Sequence, residues 1–194
     1  THQGLLDVPL LNSVPDITIF SPFTYERMRF DIESSTKSAK NFTVIRYPRG
    51  SAPEIPNGYN FSENDFDFFN GGDIAIVTYG RITAEILFAK EMLKEKDINI
   101  SILVINKIKP INIDAVKSVL NMKKIFFYEE AEKSGSIGQS FAELLLENGF
   151  NGEYKHFAID NEFVPHASVK ALIKRYGFDR DSIVKKVMEN IDGW

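Results

Sequence analysis

Residues 73–80 read DIAIVTYG, and the fold turns on how this run is read. It is short, almost continuously apolar and rich in β-branched residues, and it ends at a glycine. A strand with one wet face would alternate polar and apolar residues. An unbroken run instead suits a strand covered on both faces, as in a parallel sheet. ISILVI (100–105) and KIFFYEE (124–130) share this character, and YKHFAI (154–159) adds a fourth strand. Helical patterns lie between them. Ile82, Ile86, Ala89 and Leu93 fall on one helix face, as do Ile137, Phe141, Leu144 and Leu145. Ala115, Val116, Val119 and Leu120 make a shorter stripe. Strand and helix thus alternate every ~25 residues, the βαβ rhythm whose crossovers are right-handed. Two more helices are predicted at Val169–Tyr176 and Asp181–Ile191, the second introduced by DRDS with acids at its N-terminus. Residues 72–194 are expected to form one complete α/β domain around a mostly parallel sheet.

Upstream the pattern changes. DITIFSP (16–22) and FTVIRYP (42–48) flank a helix predicted over Tyr25–Lys37. A single βαβ unit cannot bury both faces of its own sheet, so 1–50 reads as half a domain. Together with an opening at Thr1 (THQGLLD, 1–7), this raises the question whether the N-terminal part of that domain lies outside the sequence. Three fates follow for the half-domain: poor order, pairing with a neighbouring copy, or packing on the C-terminal domain. Residues 51–71, rich in Pro, Gly, Asn and Phe, are expected to be a linker packed by its aromatics.

Composition narrows the function. The 194 residues are 43% hydrophobic and 26% charged, the profile of an ordinary soluble globular chain. A net charge of -4 argues against nucleic acid or an anionic membrane as the main partner, since both require a basic surface. Absence of Cys removes thiol nucleophiles, thiolate metal sites and disulfides, and fits a reducing interior. No apolar run approaches the ~20 residues of a membrane helix, and no secretory pattern opens the sequence. The expected location is cytoplasmic.

Few residues suggest chemistry. RYPRG (46–50) puts Arg46 and Arg49 at the end of a predicted strand, where open α/β sheets bind ligands. Arginine beside a Gly-containing turn suits a phosphate or carboxylate; the alternative is a surface or interdomain ion pair. His2, two residues before Gly4, could bring an imidazole to a ligand, or simply be a structural histidine. His156 and His166 are expected to be packing or surface residues, with no metal-ligand spacing around them. EEAEKSGSIG (129–138) reads as a strand–turn–helix joint, because it lacks both GxGxxG and the Walker pattern.

Several of these pieces occur together in one family. THQGLLD (1–7), VP (14–15), IFSP (19–22), RYPRG (46–50), DIAIVTYG (73–80), KP (109–110), EE (129–130), Gly135, Gly138 and YGFDRDSI (176–183) follow the order and separations of 1-deoxy-D-xylulose-5-phosphate synthases. The sequence resembles the C-terminal third of these transketolase-like thiamine-diphosphate enzymes. The resemblance implies the C-terminal half of the pyrimidine-binding domain at 1–50, a linker at 51–71 and the transketolase C-terminal domain at 72–194. It implies condensation of pyruvate, with decarboxylation, and D-glyceraldehyde 3-phosphate to 1-deoxy-D-xylulose 5-phosphate, feeding isoprenoid and thiamine biosynthesis. By the same match His2 is the active-site histidine that aids proton transfer, and Arg49 holds the acceptor phosphate. Arg46 matches a second arginine to which no direct role attaches. Thiamine diphosphate and Mg2+ would serve the full-length enzyme, a homodimer, through residues upstream of Thr1. No cofactor or metal ligand is assigned within 1–194, and the chain alone is expected to be inactive.

The match has departures. Asn12 stands where synthases usually carry Arg, Phe23-Thr24-Tyr25 where they carry Ser-Asp-Glu, Ser136 in a Gly-Gly pair, and Asn112 in place of the Asp of KPLD. They keep two neighbouring chemistries open, a transketolase and a 2-oxoacid dehydrogenase β-type chain. A non-catalytic dimerisation or docking domain is the reading from another class.

Overall fold

The computed structural model describes residues 4–38 and 42–191. The run at 73–80 forms β4 (Ile74–Thr78), the middle of a five-stranded sheet. Its neighbours are β5 (Ser101–Ile105) and β7 (Lys124–Glu132), both parallel to it, and β8 (Glu153–Ile159) lies parallel to β7 beyond. The expected burial on both faces is present. Ala75, Val77 and Phe127 enter one apolar cluster, while Ile76, Phe126 and Tyr128 enter the other. Alternate residues of a strand point to opposite faces, so two adjacent apolar residues serve two cores. Helix α3 (Ile82–Lys94) and α7 (Arg180–Ile191) cover one face; α4 (Ile113–Lys117) and α5 (Ile137–Glu147) cover the other. Helix α6 (Val169–Arg175) buries none of its residues fully, and stands over the C-terminal ends of the strands with the 160–168 segment.

The edge of this sheet differs from the sequence reading. Within the 51–71 stretch, Phe66–Phe69 forms β3, antiparallel to β5. Asp67 in its centre hides the strand, because carboxylates are depleted there. The carboxylate is 8% exposed and accepts bonds from Ser62 N (2.8 Å), Ser62 Oγ (2.7 Å) and Asn106 Nδ2 (2.7 Å), which offset its burial. The aromatics of this stretch pack as expected: Tyr59, Phe61 and Phe69 meet edge to face, and Phe61 meets Phe23 at 4.9 Å.

The N-terminal part contains α1 (Asp7–Asn12), β1 (Ile17–Phe20), α2 (Tyr25–Ser38) and β2 (Phe42–Ile45), with β1 and β2 parallel. Its sheet has a third strand, supplied by the C-terminal region. Immediately after β5 the chain passes Asn106 and returns as β6 (Lys107–Lys109), antiparallel to β1, in the order β2-β1-β6. Of the three fates expected for residues 1–50, packing on the C-terminal region is the one observed among the described residues. Asn106 is the hinge between sheets: its amide and that of Lys107 donate to Asp65 O at 2.9 Å, while its carbonyl accepts from Ser21 N at 2.9 Å.

Helix α2 is tied to the same seam. Arg27 pairs with Asp31 at 2.8 Å, both almost fully buried, and donates to Ser62 O (3.1 Å) and Asn64 O (2.5 Å). Desolvation pushes the Asp31 carboxyl up, against the pull of Arg27. Replacing Arg27 by Met leaves that carboxylate buried and uncompensated. The expected cost is ~3 kcal/mol, read as a lower urea midpoint at unchanged m-value. A midpoint within error of the parent would show that Arg27 does not clamp α2.

Candidate functional site

The strand ends of both sheets open on one cavity of about 630 Å³, a size suited to a small-molecule site. Its polar wall comes from Gly4 and Asp7, Ser21, the 46–50 turn, Gly80, Arg81 and Glu130. The apolar wall comes from Leu5, Ile159 and the α6 region through Leu172, Ile173 and Phe178.

Arg46 is the organising side chain. Its backbone N–H donates to Phe20 O at 2.8 Å, extending the β1–β2 pairing by one residue. Its guanidinium donates from Nε to Asp7 Oδ2 at 2.9 Å, and from Nη2 to Gly4 O at 2.8 Å and Glu130 O at 3.0 Å. Burial works to lower its pKa, but Tyr79, Asp7 and Glu130 outweigh it and hold Arg46 above the ordinary arginine value. Beside it, Arg81 makes a two-point pair with the Glu130 carboxylate. Two of the wall's arginines thus have their own carboxylates.

Arg49, three residues beyond Arg46, differs. It is exposed, and among the described residues it has no ion-pair partner. Gly50 follows at φ +107°, a left-handed turn that suits glycine. Of the two readings considered for these arginines, Arg46 fits the ion pair. Arg46 is locked into an ion pair, whereas Arg49 is free to meet an anion. A second hollow on the other side of the turn also includes Arg49, with Tyr25, Met28 and Tyr47. His2, the expected catalytic residue, lies outside the described residues. His166 is exposed on the cavity wall, and His156 is packed.

EEAEKSGSIG is the plain joint expected. Glu129 is completely buried at the β7 end, and its own carboxylate occupies the start of α5, accepting from Gly138 N at 2.9 Å. Tyr79 donates to the same group at 2.6 Å, and His156 Nε2 lies 2.5 Å away. Burial first, then Glu129, pushes the Tyr79 hydroxyl well above its usual range, so it stays a donor. No foreign anion has room there. A Cβ on Gly138 would stand 2.4 Å from His156 Nε2 and 2.7 Å from Glu129 Oε1.

The departures from the synthase pattern have structural work. Asn12 donates to Gly135 O (3.0 Å) and Ser140 Oγ (3.1 Å), clasping α1 to the start of α5. Phe23 is 2% exposed and meets Phe61 edge to face. Asn112 caps α4 by accepting from Asp114 N at 2.9 Å. Buried Ser136 donates to Lys133 O at 2.8 Å. Sequence reasoning passed over Ser21 and Gly80 as site residues. They stand in motifs quoted for the resemblance, IFSP and VTYG, but only the strand pairing brings them together.

No group of three His, Cys, Asp or Glu side chains that could hold a metal ion occurs among the described residues. No described helix is long and apolar enough to cross a membrane. Gly138→Ala is expected to destabilise the fold by ~1–3 kcal/mol through overpacking, seen as a lower Tm; an unchanged Tm would mean that the Glu129 cluster yields freely.

Residues 69–183 match the family described as transketolase, C-terminal domain. Among curated relatives, the 1-deoxy-D-xylulose-5-phosphate synthase of Clostridium tetani (strain Massachusetts / E88) is 30% identical over 192 residues, covering 97% of this chain and 31% of that protein. The synthase of Helicobacter pylori (strain G27) is 26% identical over 196 residues, covering 98% and 32%. The chain thus spans about a third of the length of the curated relatives it matches. A solved structure described as a split gene transketolase, inactive beta4 tetramer, superposes with a TM-score of 0.83 at 22% identity. It covers 95% of this chain and 61% of that one, and shows the fold. On the match over 69–183, the chain belongs to the transketolase C-terminal domain family.

Proposed function

We propose that the chain forms the acceptor-binding and C-terminal part of a thiamine-diphosphate-dependent 1-deoxy-D-xylulose-5-phosphate synthase. One observation carries the reading. Arg49, on the RYPRG turn at the end of β2, faces a cavity of about 630 Å³ without a carboxylate of its own. A guanidinium so placed suits the phosphate of D-glyceraldehyde 3-phosphate. Nearly full-length similarity to the curated synthases supports the assignment. In this reading residues 1–50 are the C-terminal half of the pyrimidine-binding domain, 51–71 the linker and 72–194 the C-terminal domain, with His2 at the reacting carbons.

The cofactor, when bound elsewhere in the assembly, supplies the carbanion chemistry. This chain's residues hold and orient the acceptor, Arg49 by charge and Arg46 by fixing the turn that carries it. Strand β2 is at an edge of its sheet, with Phe42 80% exposed at its start. That edge position supports the view that the N-terminal region, on the same or another chain, completes the sheet. The assembled enzyme would be a cytoplasmic homodimer acting on pyruvate and D-glyceraldehyde 3-phosphate, and the chain alone would be inactive.

A chimera tests this, with the N-terminal two-thirds of the Clostridium tetani synthase placed before Thr1. Deoxyxylulose phosphate is expected from pyruvate and D-glyceraldehyde 3-phosphate. Arg49→Gln should raise the acceptor KM ten- to hundredfold with little change in kcat, as for loss of a binding contact. A folded chimera that makes no product, or an Arg49→Gln variant with an unchanged acceptor KM, would contradict the reading.

A further inference from the structure

The floor of the cavity contains donors that the acceptor reading does not use. Ser21 ends the β1 strand region, is 1% exposed, and its hydroxyl has no hydrogen-bond partner. A buried hydroxyl left unpaired is costly and rare, so its surroundings call for an explanation. Opposite it is Gly80, at φ +64°, the turn between β4 and α3. The point where a Cβ of Gly80 would stand lies 2.9 Å from Ser21 Oγ and 3.7 Å from Arg46 Nη1. Arg46 uses Nε and Nη2 for its protein contacts, so Nη1 keeps both hydrogens unclaimed among the described residues. Helix α3, thirteen residues long, starts at this place, and its N-cap residue, Arg81, makes no side-chain capping bond. Ser21 Oγ, Arg46 Nη1 and the start of α3 thus lie together where Gly80 presents no side chain.

Charge selects the ligand. Arg46 is already paired with Asp7 and Arg81 with Glu130, so the floor has donors to spare but little surplus positive charge. That suits a monoanion. The uncountered Arg49, at the mouth, suits a dianionic phosphate better. The facing wall of Leu5, Ile159, Val164, Leu172, Ile173 and Phe178 is apolar, and would cover a hydrocarbon body.

We infer that Ser21, Gly80 and Arg46 Nη1 form a second subsite, which binds the carboxylate of an amphipathic monocarboxylic acid with its apolar body against the α6 wall. The subsite stands on geometry independent of the acceptor reading, and either can fail without the other.

The test is an NMR titration of the full chain with sodium hexanoate, sodium acetate and inorganic phosphate in turn. Hexanoate is expected to produce saturable shifts at the amides of Gly80, Arg81 and Ile82 and at the methyls of Leu172 and Ile173. Acetate should move the same amides only at higher concentration. Phosphate should move Arg49 and Gly50. Ser21→Ala should weaken hexanoate about tenfold and leave phosphate unaffected, while Arg49→Gln does the reverse. Because Ser21→Ala removes an unpaired hydroxyl, the Tm of the free protein should stay equal or rise, which separates lost binding from lost structure. Saturation of Gly80 by phosphate but not hexanoate would overturn the assignment to a carboxylic acid. The absence of saturable shifts at Gly80 with every probe, or hexanoate affinity unmoved by Ser21→Ala, would overturn the subsite and leave the hydroxyl to a water molecule. Loss of the phosphate response at Arg49 alone would count against the acceptor reading only.

Discussion

The cavity depends on the set of bonds made by the Arg46 guanidinium. One side chain joins the 4–7 loop through Gly4 O and Asp7 Oδ2, the β2 strand that carries it, and β7 through Glu130 O. Charge-assisted bonds of this kind are stronger than neutral ones, and they are costly to leave half made in a partly buried place. The backbone adds a second tie, β6 on β1, which runs on directly from the central sheet through Asn106. Together they bring the strand ends of two sheets to one hollow. Arg49, Ser21 and Gly80 meet there although they lie on three different segments.

This placement explains why two arginines of one five-residue motif differ in their partners. A guanidinium that already satisfies a carboxylate and two carbonyls has little charge left to offer a dianion, but it has one idle nitrogen. A guanidinium without a counterion has its whole charge available. The hollow is therefore electrostatically uneven, with free charge at the mouth and unused donors at the floor. Apolar residues from the C-terminal segment close the far side.

The βαβ order of the central sheet was legible because each strand is apolar on both faces and each helix carries one apolar stripe. β4, β5, β7, α3 and α5 all follow from that rule. β3 was not legible, because Asp67 interrupts its apolar run and is made tolerable only by Ser62 and Asn106, side chains met after folding. β6 was hidden for another reason. A three-residue strand reading Lys-Ile-Lys has no pattern of its own, and exists because β1 lacks a partner on that side. At the site, the RYPRG turn was legible from its Arg and Gly at a strand end. The difference in partners between Arg46 and Arg49 was not, since it depends on where Asp7 and Glu130 fall. Ser21 and Gly80 carry no chemical signature in sequence; only the strand pairing sets the hydroxyl against the glycine.

If Arg46 is the tie that builds the cavity, its loss should loosen one region and spare the other. The direct measurement is residue-resolved hydrogen exchange on the chain and on its Arg46→Met variant. Faster exchange is predicted in residues 5–12, 17–20 and 43–50, with β4, β5 and β8 protected as before. Unchanged exchange in those three segments, or loss of protection spread evenly over both sheets, would contradict the account.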